Sequence, residues 1–451
     1  MFIEPKFVSF IKKRLLLLLL GLVIPWSVQA SDLLEVYRLA RANDPQLRAQ
    51  VAAVQAALEA KPQARALFLP VVDISSNYDR TFQTIELLEQ QPFPGFGGTR
   101  SFNNWGYTLS LTQPLYRREN FVRLKQADAT IAQAQADLVA EEQALLVRAA
   151  ERYFDVLTAQ AELEFARAEK EAIDKQLEQT RQRFEVGLDT IVDVNEAQAA
   201  YDLAVSQEIA AENALSNAHE RLREVTGQYF RELEDLEKDA PLLQPDPMDI
   251  DQWAETALQQ NPQIDASEAA VDNARQEIER EKSGHYPTLD VVGTNSTNVT
   301  GGGSFGGFQT DQNVIGLQFN LPLFQGGAVV SRTREAKHRL EQSLEQLEQA
   351  RRQVFRQTRE AYLGVISEVS QVKALQQAIV SNESSLEATE AGFEVGTRTT
   401  VDVLNVRRDL FRALRDHSRS RYEYILNTLR LKQGAGIITL EDLEQINQWL
   451  H

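Results

Sequence analysis

The chain contains no cysteine. That excludes disulfides, thiolate metal sites and a lipid anchor on an N-terminal cysteine. Histidine is scarce too: His219, His285, His338, His417 and His451 are the only five, and none stands at metal-ligand spacing from another. No Ser-His-Asp, P-loop or dinucleotide pattern is present. Paired carboxylates are common, but on helix faces this acidic they serve solvation. The residues therefore point away from an enzyme, and no cofactor is expected. Basic residues are also in deficit, with 47 Lys and Arg against 65 Asp and Glu, a net charge of −18. Nucleic acid requires a basic face, so it is not an expected partner.

Long apolar runs are missing as well, apart from one near the start. In residues 1–30, Lys12, Lys13 and Arg14 precede an apolar stretch from Leu15 to Ile24, and Val28-Gln29-Ala30 supplies small residues at the cleavage positions. This reads as a signal peptide, since a spanning helix needs about 20 apolar residues. Removing its net charge of +3 leaves the mature chain, from Ser31, at −21. No later stretch is apolar enough for a transmembrane helix. Any contact with a membrane is expected to be made through strands.

What the chain does have is a duplication. Phe-Glu-Val-Gly-Leu-Asp-Thr-Ile-Val-Asp-Val at 184–194 returns 209 residues later as Phe-Glu-Val-Gly-Thr-Arg-Thr-Thr-Val-Asp-Val at 393–403. Asp44-Pro45-Gln46 answers Asn261-Pro262-Gln263, Tyr153 answers Tyr362, and Gly227 answers Gly436. The first repeat covers 31–227 and the second 253–436. Between them an acidic, proline-broken linker at 228–252 is expected to lie beside the helices, and a short C-terminal helix is expected within 437–451.

Each repeat reads as helix, helix, strand, loop, strand, long helix, tip, helix. Strands are expected at about 71–83 and 103–114, then at about 287–299 and 312–322. Trp105, Tyr107, Leu109 and Leu111 alternate with Thr108, Ser110 and Thr112, and Ile315, Leu317 and Phe319 with Gly316, Gln318 and Asn320. This period-two pattern matches membrane barrel strands. Glycine-rich loops at 92–98 and 301–307 join the strands. Long helices are expected over about 118–183 and 326–391. Leu124, Ile131, Leu138 and Leu145 repeat at seven in the first, as Leu340, Leu347, Val354 and Ala361 do in the second. Such a seam packs as a coiled coil, and at 1.5 Å per residue each helix is roughly 100 Å long. The tips follow at 184–193 and 393–402, with Gly187 and Gly396 turning the chain and Asp193 and Asp402 opening the departing helices.

Four strands per chain are too few to close a membrane barrel, whose smallest members have about eight, and an open edge cannot face lipid. The chain must share its barrel with copies of itself. Two copies give a filled interior and three a lumen. The alternative is a structural periplasmic coiled coil, which explains the heptads but not the paired alternating strands.

These features, with Leu-Pro-Leu-Phe-Gln-Gly-Gly at 321–327 and Val-Gly-Thr-Arg-Thr-Thr-Val-Asp-Val-Leu at 395–404, resemble the TolC family of outer-membrane efflux channels, in its non-lipidated branch. The resemblance implies a homotrimer with a twelve-stranded β-barrel in outer-membrane lipid and a long α-helical barrel in the periplasm. It implies a periplasmic adaptor protein and an inner-membrane pump as partners, either a proton-driven (RND-type) drug exporter or an ATP-driven (ABC-type) secretion system. Asp402 matches the first aspartate of the family's acidic entrance ring, although an acid there also stabilises a helix N-terminus. Asn405 stands where the family has a second aspartate. Arg398 matches an arginine that links to Asp193 and holds the entrance closed, and Phe393 replaces a tyrosine beside it. An exposed pair of this kind contributes at most about 1 kcal/mol, and Phe393 cannot hydrogen-bond to Asp193, so the latch is expected to be weak. Asp189 and Glu196 read as a solvated acidic face.

Overall fold

The computed structural model describes residues 31–86, 97–303 and 306–451. The expected signal peptide, most of the first hairpin loop, and Ser304 and Phe305 lie outside the described residues.

Each repeat begins with helices broken at a proline. In the first, α1 (Leu33–Asn43), α2 (Pro45–Leu58) and α3 (Ala60–Ala66) lead to β1 (Val71–Ile85) and β2 (Gly98–Arg117). Asp44 ends α1 and caps α2, its carboxylate accepting from the Gln46 amide at 3.0 Å, while Pro45 sits at the first helical position, where no amide hydrogen is needed. Next come α4 (Arg118–Glu185), 68 residues long, and α5 (Ile191–Thr226). The second repeat follows the same plan with α6 (Ile250–Gln260), α7 (Pro262–Lys282), β3 (Thr288–Thr300), β4 (Phe308–Asn320), α8 (Ala328–Glu394) and α9 (Thr400–Gly434). A last helix, α10, spans Leu440–Asn447. Among the described residues, no helix is long and apolar enough to cross a membrane.

The strands form one antiparallel sheet in the order β1-β2-β3-β4. Its register aligns Val72, Leu111, Gly293 and Ile315 in one row. Directly paired residues point to the same side, so the alternation in each strand adds up to a single apolar face. Ile74, Tyr78, Ile315 and Leu317 on that face are all more than two-thirds exposed. Soluble proteins rarely expose so continuous an apolar patch. β2 runs past Pro114 to Arg117 because the ladder shifts register between Pro114 and Tyr116, which accommodates a residue with no amide hydrogen. The strands β1 and β4 are edges, unpaired within the chain.

The main core lies midway along the helices. Phe154 of α4, wholly buried, meets Tyr153 at 5.5 Å and Tyr422 of α9 at 5.6 Å between ring centroids. Around them pack Leu33 of α1, Leu222 of α5 and Val365 of α8. The stretch at 228–252 does more than lie beside the helices. Phe230, Leu233 and Leu236 enter the core, and its backbone bridges to Ser31 on one side and Leu450 on the other. The Tyr153 hydroxyl donates to the Glu234 carbonyl at 2.6 Å, and the Tyr422 hydroxyl to the Asp235 carboxylate at 2.7 Å. Burial first, then the neighbouring acids, push both phenols far above their ordinary range. Both repeats, the connecting segment and the C-terminus thus meet at one level. That level fixes the long helices, which project from it to the tips.

Candidate functional site: the paired helix tips

Both tips are built the same way. Gly187 and Gly396 adopt φ of 78° and 77°, a left-handed conformation that glycine reaches without a Cβ clash. Thr190 and Thr399 then cap α5 and α9 with identical backbone angles, φ −97° and ψ 162°. In the first tip, Oδ2 of Asp193 accepts from the Thr190 amide at 2.8 Å and its hydroxyl at 2.6 Å. In the second, Oδ2 of Asp402 accepts from the Thr399 amide and hydroxyl, both at 2.9 Å. These are capping boxes with aspartate in the usual Glu position. The sequence Thr-x-x-Asp in each tip encodes them.

The hydrogen bonds set the charge state. The Thr399 amide, then its hydroxyl, hold the Asp402 carboxyl below the ordinary carboxylate range, and the positive charge of Arg398 adds to this. For Asp193 the Thr190 hydroxyl acts first and the Thr190 amide second. Both acids stay ionised well into the acidic range. Asn405 is exposed one turn beyond Asp402, on the same helix face.

Within the chain, among the described residues, Arg398 forms no ion pair with Asp193. Its side chain lies along Gly392, where an added Cβ would come within 2.8 Å of Arg398 Cγ. Phe393 is only 5% exposed, and the Arg183 guanidinium lies over its ring, 4.6 Å from the centroid. Arg183 also pairs through Nε with both oxygens of Asp189, at 3.0 and 3.1 Å. Asp189 is therefore not a solvated acid: its side chain is 8% exposed, because the turn folds it back against Arg183. Glu196 is exposed.

Sequence reasoning passed over Arg183, yet the duplication carries a signal for it. At the offset of 209, Arg183 corresponds to Gly392 and Asp189 to Arg398. In the first tip Asp189 is paired with Arg183, whereas among the described residues Arg398 of the second tip forms no ion pair and only adds its charge beside Asp402. Leu404 of α9 then packs with Ile173, Leu177, Ala197 and Ala204 of the first helix pair, joining the tips above the turns.

The fold and its tips define a class: strands meet a bilayer with one apolar face, and a duplicated pair of long helices carries a capped, charged end far from it. The chain belongs to the outer membrane efflux protein family, whose model matches residues 36–228 and 253–436. It is 37% identical to the outer membrane protein TolC of Vibrio cholerae over 94% of this chain and 95% of that one. It is 30% identical to the alkaline protease secretion protein AprF of Pseudomonas aeruginosa over 92% of this chain and 87% of that one. The fold matches the crystal structure of the Campylobacter jejuni CmeC outer membrane channel with a TM-score of 0.74, at 16% identity over 96% and 95% of the two chains. The protein is an outer-membrane channel of the efflux and secretion class, with its helical part in the periplasm.

Proposed function

We propose that three copies of this chain form a passive exit duct whose resting state is set at the helix tips. The observation that carries the reading is the sheet: it has one apolar face and two unpaired edges. Such edges cannot stand in lipid, so β1 of one copy pairs with β4 of the next, and three copies close twelve strands around a lumen. A periplasmic adaptor and an inner-membrane pump, of RND or ABC type, would deliver cargo to the tips. The conduit itself does no covalent chemistry. A periplasmic coiled coil without a channel would leave the apolar sheet face without a partner. The test is extraction: a detergent-dependent, heat-modifiable trimer supports the reading, and a protein released into buffer on lysis overturns it.

At the entrance, Asp402 from three copies would form a ring that favours cations. Asn405 would leave that ring single. Asn405→Asp is accordingly expected to strengthen block by multivalent cations in single-channel recordings, and unchanged block would sink the single-ring idea. Arg398, which forms no ion pair among the described residues and only adds its charge beside Asp402, would reach Asp193 of a neighbouring copy as a latch. An exposed arginine-carboxylate link is weak, which suits a gate that partners must open. Arg398→Ser should raise resting conductance, by no more than about fivefold for so exposed a pair. Resting conductance equal to wild type would count against the latch.

A further inference from the structure

The apolar face of the sheet is interrupted by a pair of amides. The row Ile74, Leu109, Asn295, Asn313 begins with two apolar residues and ends with two asparagines. Both asparagines lie on the face that carries Ile315 and Leu317, since positions two apart on a strand share a side. Along β4, Asn313 stands six residues from Phe319, which is nearer the helices. Along β1, the same row stands four residues from Tyr78, which pairs with Trp105 toward the far end. Aromatic rows of this kind border the apolar band of a membrane barrel, so the amides lie within that band. Asn295 donates from Nδ2 to Oδ1 of Asn313 at 2.7 Å. This bond leaves one amide oxygen and one amide nitrogen without a partner among the described residues, whichever way round the two amides are set. In the next row outward the polar groups are occupied: Asp311 accepts from Thr297 at 2.6 Å and from Gln309 at 3.0 Å.

Beside the amides the surface is hollow. A groove of about 370 Å³ is floored by Gly293 and walled by Val72, Leu109, Leu111 and Ile315. A Cβ at Gly293 would stand 3.9 Å from the Val314 carbonyl oxygen and 4.0 Å from Leu111, which is ordinary contact. The backbone there does not require glycine; what glycine leaves is room above the sheet. Beyond Tyr78 on the same face, Arg80 donates to the Ser101 hydroxyl at 3.3 Å and lies over the Phe82 ring, with no carboxylate paired to it among the described residues. This end of the sheet points away from the periplasmic helices, toward the outer leaflet. We propose that the outward face of the sheet binds lipopolysaccharide. An acyl chain lies in the groove at Gly293, a hydroxyl or amide of the acyl region meets the Asn295–Asn313 pair, and a phosphate meets Arg80. Four strands span roughly 14 Å, within the width of one lipid carrying several acyl chains. Phospholipid tails offer ester oxygens, which accept but cannot donate, and so satisfy only half of the amide pair. A hydroxylated or amide-linked acyl chain supplies both, and an unmet polar group in hydrocarbon is costly. The charge of Asp311 disfavours phosphate over β4, and that of Arg80 draws it over β1.

The site rests on the sheet meeting the bilayer, not on how many copies close the barrel. The experiment takes the full protein in detergent, stripped of bound lipid, and adds purified lipopolysaccharide or phosphatidylglycerol. The readout is the temperature at which the heat-modifiable oligomer dissociates. Lipopolysaccharide should raise it at concentrations where phosphatidylglycerol does not. Asn295→Leu combined with Asn313→Leu should raise the half-saturating concentration of lipopolysaccharide about fivefold, the factor carried by an ordinary hydrogen bond. Arg80→Gln should raise it about tenfold, as for a bond to a charged group. Gly293→Leu fills the groove and should abolish the shift. If that variant fails to assemble, Gly293→Ala, which the backbone accommodates, should still weaken binding. Gln312→Leu is the control, because Gln312 pairs with Ser296 on the opposite side of the sheet, and its response should match wild type. Equal shifts from the two lipids would mean ordinary boundary lipid only and would overturn the proposal. So would an unaltered response to lipopolysaccharide in the assembled asparagine and Arg80 variants. A wild-type protein that stays in solution without detergent would instead overturn the membrane reading of the sheet, and the site with it.

Discussion

Leu317→Arg is expected to deplete the protein from the outer membrane. Leu317 lies at the centre of the apolar segment of β4, 71% exposed, between Ile315 and Phe319 on the same face. A lipid-facing arginine at mid-depth of a membrane barrel costs about 2–4 kcal/mol. In the proposed trimer the penalty is met three times in one assembly. The cost is comparable to a large share of the stability of an ordinary domain. Gln318 provides the comparison. It faces the other side of the sheet, opposite Asp290, so Gln318→Arg should leave the heat-modifiable trimer in place. The measurement is the amount of that trimer in the outer-membrane fraction. Equal amounts for Leu317→Arg and wild type would mean that this face does not meet lipid.

Phe154→Ala should produce the largest loss of stability of any single truncation in the helical region. The ring is wholly buried, edge-on to Tyr153 and tilted against Tyr422, so removing it takes contacts from α4 and α9 together. A truncation of this kind costs about 3–5 kcal/mol when the cavity cannot collapse. Collapse is hindered here because the hydroxyls of both neighbouring tyrosines are tied to the 234–235 backbone and side chain. Phe355→Ala, at a ring 40% exposed on α8, should cost the isolated protomer no more than about 0.5 kcal/mol. Protease sensitivity of the detergent-solubilised protein at increasing temperature separates the two. Similar sensitivity for both variants would show that the packing midway along the helices does not anchor them.

The parts of the fold legible in the sequence were those written in local patterns. Alternation marked the strands, a seven-residue seam marked the long helices, and Thr-x-x-Asp after a glycine marked each tip. The connecting segment at 228–252 was harder to read. Its prolines and acids suggest a strand of chain outside the core, while Phe230, Leu233 and Leu236, three residues apart, are what fasten it inside. Asp189 shows the same limitation from the other side. One acid among many reads as solvation, and only the fold of the turn brings it onto Arg183. The contact between Arg183 and Phe393 joins residues 210 positions apart, so no local pattern could report it. Its trace was the place where the duplication fails, with arginine facing glycine across the repeat.

The two tips also differ in ways that their common cap conceals. Each spends one carboxylate oxygen on its own helix start, Asp193 on Thr190 and Asp402 on Thr399. Capping therefore does not remove their charge; it holds each carboxyl below its ordinary range. The same hydrogen bonds that begin the helix keep the acid ionised, which is what an entrance ring for cations requires.

Single-channel recording across a salt gradient tests the central claim most directly. The purified protein in a planar bilayer should show discrete, cation-selective conductance steps. That selectivity should persist as the pH falls to about 4, because a carboxyl whose folded pKa is depressed keeps its charge until the pH drops below the ordinary carboxylate value. Asp402→Ala should reduce it sharply. A bilayer that stays silent, or steps selective for anions in the wild-type protein, would contradict the account.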